Sequence, residues 1–216
     1  MTDFPITPRN QVRRLPQRAA YDRDTIYAIV DAALICHVAF VQQGQPYGIP
    51  TNFARQADRL YFHGSPHSRL LQHIGAGEPV SVVMTLVDGL VLARSIFEHS
   101  INYRSALLFG RGCLLDDPAE KMEALRWISE HLLPGRWDDA RQPSPKELNA
   151  TAVAAIEIES ASAKSRQGLP VDLPEDLDLP VWAGVLPVEQ RFAAPLPDER
   201  TPASMPVPVY IQRRLI

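Results

Sequence analysis

The chain has 216 residues, 45% of them hydrophobic and 22% charged, the composition of one globular domain able to bury a sizeable core. A net charge of −3 and a pI near 6.1 lack the basic excess of a phosphate-backbone binder, so nucleic acid is not an expected partner. Cys36 and Cys113 each lie in an apolar run and no segment is long and apolar enough to be a leader or membrane span, which predicts a cytoplasmic protein with buried thiols.

Residues 1–20 are polar, basic and spotted with proline, which predicts an extended arm, with ordered structure beginning near Tyr21. Asp22 or Asp24 caps a predicted helix through Ile26, Ile29, Val30 and Ala33, and Leu34 to Val41 reads as a strand. Turns at Gln43-Gly44-Gln45 and Gln56-Ala57-Asp58 bound a second strand, Pro46 to Arg55, and lead into a third ending at His63. Together these make an antiparallel meander.

The stretch LYFHGSPHSRLL, Leu60 to Leu71, ends an apolar strand at a Gly-Ser-Pro turn and starts a helix. Ser65 with Pro66 reads as an N-cap with proline at the first helical position, and Leu70, Leu71 and Ile74 give the helix a buried face. Ser65, Ser68 and Arg69 then either decorate a surface helix or seat an anion at its start.

Beyond a break at Gly75 to Pro79, Val80 to Leu86 reads as a strand buried on both faces, Asp88-Gly89 as a turn or bulge, and Leu90 to Ala93 as extended. A polar stretch, Glu98 to Arg104, precedes a strand over Ser105 to Leu115. Asp117-Pro118-Ala119-Glu120 opens a helix with Met122, Leu125, Ile128 and Leu132 as its apolar stripe, closed by Pro134-Gly135. Thr151 to Ser160 reads as the last strand; the proline-rich remainder wraps over the surface or onto a partner. Several strands broken by a few helices, without βαβ alternation, predict a mainly β antiparallel barrel with helices outside.

Two segments concentrate polar groups. EHSINYRS, Glu98 to Ser105, is either a solvated loop or a ligand-facing one, with Arg104 suited to gripping a phosphate bidentately. ASAKSRQG, Ala161 to Gly168, sets Lys164 and Arg166 two apart, on one face if extended. Histidines 37, 63, 67, 73, 99 and 131 have no carboxylate or thiolate at zinc-site spacing, so no metal site is expected, and His37 reads as a hydrogen-bonded core residue. The chain lacks GxGxxG, P-loop and GxSxG signatures, and no catalytic residue can be named. Any hard chemistry would come from a cofactor.

Taken in order, YDR at 21–23, HVAFV at 37–41, QPYGIPTNFAR at 45–55, LYFHGSPHSRLL, VMTLVDGLVLARSIFEHSINYRSALLFGR at 83–111, HLLPGRW, ASAKSRQG and LPVWAGVLP resemble the pyridoxamine 5′-phosphate oxidase-like FMN-binding split barrels. The resemblance is to the flavin-nucleotide-binding branch that includes nitroimidazole-resistance proteins. It implies a six-stranded split β-barrel over residues 21–187, between the arm of residues 1–20 and a tail of residues 188–216, paired as a homodimer with FMN at the interface. On that pattern Pro50 and Thr51 would line the isoalloxazine, and Met84 and Thr85 would meet the ring. His63, Gly64, Ser65, Ser68 and Arg69 would hold the phosphate end, with Asn102, Tyr103 and Arg104 adding polar contacts. Lys164 and Arg166 would lie near the phosphate, and Trp182 would reach over from the neighbouring chain. Leu70 stands where true pyridoxamine phosphate oxidases carry lysine, and their C-terminal substrate-binding arginine and histidine are missing, so vitamin B6 oxidation is not implied. The expected activity is that of an FMN-dependent oxidoreductase, a flavin reductase or nitroreductase-like enzyme drawing on NADH or NADPH and a small acceptor. The alternatives are a flavin-storage protein, or a haem-binding split barrel with His63, His67 or His99 as axial ligand.

Overall fold

The computed structural model describes residues 3–215; the first two residues of the predicted arm and the last of the predicted tail lie outside the described residues. An antiparallel sheet forms the body, with strands β1 (Ala19–Ala20), β2 (Cys36–Gln42), β3 (Gln45–Thr51), β4 (Ala54–Gln56), β5 (Arg59–Gly64), β6 (Val80–Leu92), β7 (Ser100–Leu114), β8 (Ala152–Arg166) and β9 (Gly184–Pro187). Its order is β3-β2-β6-β7-β8-β5-β4, with β1 added to β8 and β9 to β6. The sheet therefore has nine strands among the described residues rather than the expected six. The excess comes from short pieces: β1, β4 and β9 hold 2, 3 and 4 residues. Beside them run α1 (Arg23–Ala32), α2 (Arg69–Gly75), α3 (Pro118–Leu132), α4 (Arg136–Asp139), α5 (Pro145–Asn149) and α6 (Val209–Gln212).

The meander is present, with its second strand interrupted. Asn52 and Phe53 leave the ladder, and Phe53 turns its ring fully into the core, so the predicted run to Arg55 becomes β3 and β4. One core cluster gathers Val38 and Phe40 of β2, Leu60 and Phe62 of β5, Met84, Leu108 and Ile156. Strands from both ends of the path thus share one interior, and the sheet curls around it. Alternation fixes which side chains enter: Cys36, Val38 and Phe40 are buried, whereas His37 points outward and is exposed, contrary to its predicted core position. Cys36 is buried as expected and burial pushes its thiol up to about 12, whereas Cys113, near the end of β7, is exposed.

Both polar segments belong to strands. β7 begins at Ser100 and β8 continues to Arg166, so the expected loop at Glu98 to Arg104 and the tail of ASAKSRQG are largely ladder. The register shifts between Val87 and Gly89, which makes Asp88-Gly89 a bulge in β6, and β9 pairs alongside it.

The N-terminal arm, expected to be extended with order starting near Tyr21, instead carries a turn at Thr7 to Gln11 and a 3-10 turn over Pro16–Arg18, and ordered structure starts well before Tyr21. Phe4 is buried, packs edge-on against Tyr27 at 6.2 Å, and lies 4.0 Å beneath the Arg23 guanidinium. Buried Asn10 donates through Nδ2 to the Ala161 carbonyl at 2.9 Å, and Arg9 reaches Glu159 at 3.0 Å. Composition alone hid this, because the arm's few apolar groups acquire value only against the groove along β8.

Asp58, in the turn before β5, ties arm, helix and sheet together. Its carboxylate accepts from the Tyr27 hydroxyl at 2.5 Å and from Arg23 Nη2 at 3.1 Å, and the Arg23 hydrogen bond holds its pKa below the ordinary value. A depressed carboxylate pKa contributes stability that is present above about pH 4 and lost as pH falls through the folded value. Because Asp58 is 46% exposed, the contribution is under about 1 kcal/mol. Asp58→Asn is therefore expected to flatten the fall in stability below about pH 4; a variant with the same acid limb in denaturation curves would remove Asp58 as its source.

Candidate functional site

The strand-to-helix junction after β5 differs from the sequence expectation at its cap. Ser68, not Ser65, caps α2: its backbone is extended (φ −62°, ψ 122°) and its Oγ accepts from Leu71 N at 3.5 Å. Ser65 instead heads a turn, its carbonyl accepting from Ser68 N at 2.9 Å and its Oγ from His67 N at 3.2 Å, with Pro66 inside that turn. Both hydroxyls act as acceptors toward backbone, so each keeps its proton to donate outward. Arg69 is exposed and stacks its guanidinium 4.2 Å over the Tyr47 ring, and no carboxylate pairs with it among the described residues. Tyr47 in turn stacks on Phe40 at 5.4 Å.

His63, at the end of β5, is half-buried, and its Nδ1 is sealed from solvent without a hydrogen-bond partner. Burial lowers its pKa, so the ring is neutral near pH 7. Nε2 of His73, His99 and His131 lies within hydrogen-bond reach of the carbonyls of Pro79, Ala93 and Ala33 at 3.3, 3.2 and 2.8 Å. His67 is exposed. No group of three or more His, Cys, Asp or Glu is placed to hold a metal ion among the described residues.

A second constellation lies along β6 and β7. Thr85 and Arg104 line a cleft of about 630 Å³ together with Leu86, Val87, Asp88 and the chain after β9, Val188 to Gln190. Arg104 grips Asp88 with both arms of its fork, Nε to Oδ2 at 3.0 Å and Nη2 to Oδ1 at 2.7 Å. That hydrogen-bonded carboxylate raises the Arg104 pKa. The bulge aims Asp88 at Arg104, a partner the sequence reading missed although an acid at a bulge opposite an arginine was there to be read. Met84 and Thr85 divide by alternation: Met84 is fully buried in the core, whereas Thr85 is exposed. Pro50 and Thr51 pair with His37 and Cys36 on β2, Pro50 exposed and Thr51 half-buried.

The remaining predicted residues are engaged within the chain. Buried Arg166 donates through Nη1 to the Asn102 Oδ1 and the Gly168 carbonyl, and through Nη2 to the Leu169 carbonyl at 3.2 Å, while Asn102 Nδ2 donates to Gly168 at 3.1 Å. This clamp fixes the chain where it leaves β8. Tyr103 is half-buried between Val87 and Arg166 in the ladder, and Lys164 donates to the Arg14 carbonyl at 2.8 Å, holding the arm. Trp182 is 67% exposed, its ring folded toward Gly184 of its own chain. Gly64, His63, Ser65, Ser68 and Arg69 share one junction, but none of them lines the Thr85–Arg104 cleft.

An anion-bearing flavin fits the first constellation in its chemistry: adjacent in the chain stand two hydroxyls with protons to donate and a guanidinium that no carboxylate pairs among the described residues. A metal-bearing group fits His63 only in part. Its ring is neutral, as a ligand must be, but its second nitrogen lacks the partner that ordinarily orients a metal-bound imidazole.

Comparison with known proteins agrees with the antiparallel sheet. No curated protein sequence matches the chain. The structure of the flavocytochrome Anf3 from Azotobacter vinelandii is 40% identical, with 96% of this chain and 97% of that one covered and a TM-score of 0.89. A FAD and heme binding protein from Mycobacterium smegmatis is 34% identical over 92% of this chain and 97% of that one, with a TM-score of 0.87. A candidate 5-nitroimidazole antibiotic resistance protein from Bacteroides thetaiotaomicron shares the fold at 24% identity and a TM-score of 0.58, over 68% of this chain and 85% of that one. The family described as pyridoxamine 5′-phosphate oxidase matches residues 22–165, from the cap of α1 to the end of β8. With strands β2 to β7 and the β5–α2 junction inside that span, the chain belongs to the pyridoxamine 5′-phosphate oxidase family.

Proposed function

We propose that this protein binds a flavin nucleotide and works as a flavin-dependent oxidoreductase, passing electrons from a reduced nicotinamide to a small acceptor. The observation that carries the reading is the likeness to a flavocytochrome along 96% of the chain at 40% identity. Arg69, Ser65 and Ser68 supply the phosphate-end donors, the Thr85–Arg104 cleft offers room beside the sheet, and the flavin supplies the redox chemistry when bound. On this reading the sheet is the split barrel of the family, its six long strands paired as a homodimer with the flavin at the interface, in the cytoplasm. FMN is the form implied by the sequence; the M. smegmatis protein, which binds FAD, makes FAD the competing form.

Haem as a second cofactor is favoured by one specific observation. The two proteins named for both flavin and haem, or as a flavocytochrome, match 92% and 96% of this chain, whereas the nitroimidazole-resistance relative covers 68%. The extra similarity therefore includes chain beyond the matched family span, which ends at residue 165. His63 is the histidine whose state suits an axial ligand.

The test is the visible spectrum of the purified protein, repeated anaerobically with NADH or NADPH. Flavin bands that bleach support the oxidoreductase, flavin bands that persist indicate a storage protein or another donor, and a Soret band adds haem. Chromatography of the released flavin separates FMN from FAD. Arg69→Ala is expected to weaken flavin binding about tenfold, the loss of one charge-assisted contact; unchanged affinity in a fluorescence titration would remove Arg69 from the site.

A further inference from the structure

On the outer side of the sheet, α3 and β5 enclose a cavity of about 180 Å³ lined by Arg59, Tyr61, Leu115, Glu120, Glu123 and Trp127. That is roughly the volume of six waters, room for a ligand of a few heavy atoms. Glu120, Glu123 and Trp127 stand at i, i+3 and i+7 along α3 and so share the helix face turned to the sheet. Across from them Tyr61 meets Trp127 with ring centroids 4.8 Å apart and planes at 55°, so the two rings form the corner of a box rather than a parallel stack.

The charges around this corner leave a residue of one. Arg59 is paired with Glu157, and Glu123 is paired with Arg126 at 3.4 Å, so those four cancel. Glu120 uses only its backbone: its side chain has no hydrogen bond or ion pair among the described residues. A cavity with two aromatic rings, one apolar wall and one uncompensated carboxylate matches a monovalent organic cation, because ring quadrupoles and the carboxylate both attract positive charge that is spread over carbon. Calcium or magnesium would require about six oxygen ligands, which this corner does not offer, and no group of three or more His, Cys, Asp or Glu is placed to hold a metal among the described residues. A neutral apolar ligand would gain nothing from the Glu120 carboxylate, which lines the cavity and is exposed.

We infer that the Tyr61–Trp127 corner with Glu120 is a binding site for a small organic ammonium ion, separate from the flavin-directed residues at the other end of β5. The site asks nothing of the flavin and stands or falls by itself.

The test is calorimetric titration of the full chain with choline and with its neutral carbon isostere, 3,3-dimethyl-1-butanol, at fixed ionic strength. Choline is expected to bind saturably and the isostere at least roughly tenfold more weakly, the range of a partly desolvated cation–π contact. Glu120→Gln, an exposed change that keeps the helix, is expected to weaken choline about fivefold or more, and Trp127→Phe to weaken it by a smaller factor while retaining the fold. Equal binding of choline and the isostere, unchanged affinity in Glu120→Gln, or no choline binding at all would each overturn the assignment.

Discussion

Gly110→Ala is expected to destabilise the protein by about 3 kcal/mol or more, lowering the thermal midpoint by roughly 6–12 °C for a chain of this size. A Cβ at Gly110 would stand 1.9 Å from the Glu157 carbonyl oxygen and 2.9 Å from Ile156 Cγ2. The obstacle is backbone of the neighbouring strand, which a side-chain rotation cannot relieve. The cause is the irregular pairing of β7 with β8: Phe109 faces Ser160 while Gly110 already faces Ile158, so the strands draw together across the skipped Glu159. Gly112→Ala, with a Cβ 2.1 Å from the Ala155 carbonyl oxygen, is expected to behave likewise. Gly48→Ala in β3 is the internal control, since nothing lies within 4 Å of its Cβ and the stability is expected to stay within about 0.5 kcal/mol of wild type. Matching midpoints for Gly110→Ala and Gly48→Ala in thermal denaturation would show that β7 and β8 do not approach so closely.

Arg166→Met is expected to cost about 3 kcal/mol, through loss of the clamp rather than of a ligand contact. Arg166 is only 9% exposed, its pKa is lowered by burial with Arg18 adding to the shift, and no carboxylate pairs with it among the described residues. Its charge is satisfied by the Asn102 amide oxygen and two backbone carbonyls, so removing the guanidinium leaves the buried Asn102 oxygen without its donor and unties the Gly168 and Leu169 carbonyls from β8. The segment it holds runs on to Asp172, whose carboxylate accepts from the Arg94 backbone at 2.6 Å and side chain at 2.7 Å. Loosening one end thus frees a connection that is pinned at both ends. Thermal midpoints with and without flavin separate the two roles. If Arg166 positions the chain, both midpoints fall by the same amount; if it holds the phosphate, the flavin-loaded midpoint falls alone.

These two residues mark where sequence reading worked and where it stopped. β6 with its bulge, the Asp22 and Asp117 caps and the long apolar strands were legible because each is a local matter of alternation, helical spacing or turn chemistry. Ser65 was mistaken for the cap of α2 because Ser-Pro and Ser-Arg are both plausible helix starts, and only the Ser65–Ser68 turn decides between them. The polar letters of SINYRS and SAKSR concealed strand, since their side chains are satisfied by a clamp, a cleft and an arm that no window of sequence displays.

By itself, then, the sequence determined an antiparallel β body with outer helices, the turn positions, and a junction after β5 that gathers Ser65, Ser68 and Arg69. The family motifs carried the expectation of a flavin. Only the tertiary structure decided that Arg104 is paired with Asp88 and that Asn102 and Arg166 hold each other. It alone showed that His37 faces outward, that the arm packs from Phe4, and that Glu120 faces an aromatic corner without a partner. The division has one physical origin. Periodicity and turn preference act between residues a few positions apart, whereas charge pairing and close backbone approach join residues such as Asn102 and Arg166, 64 positions apart, once the sheet has set their register.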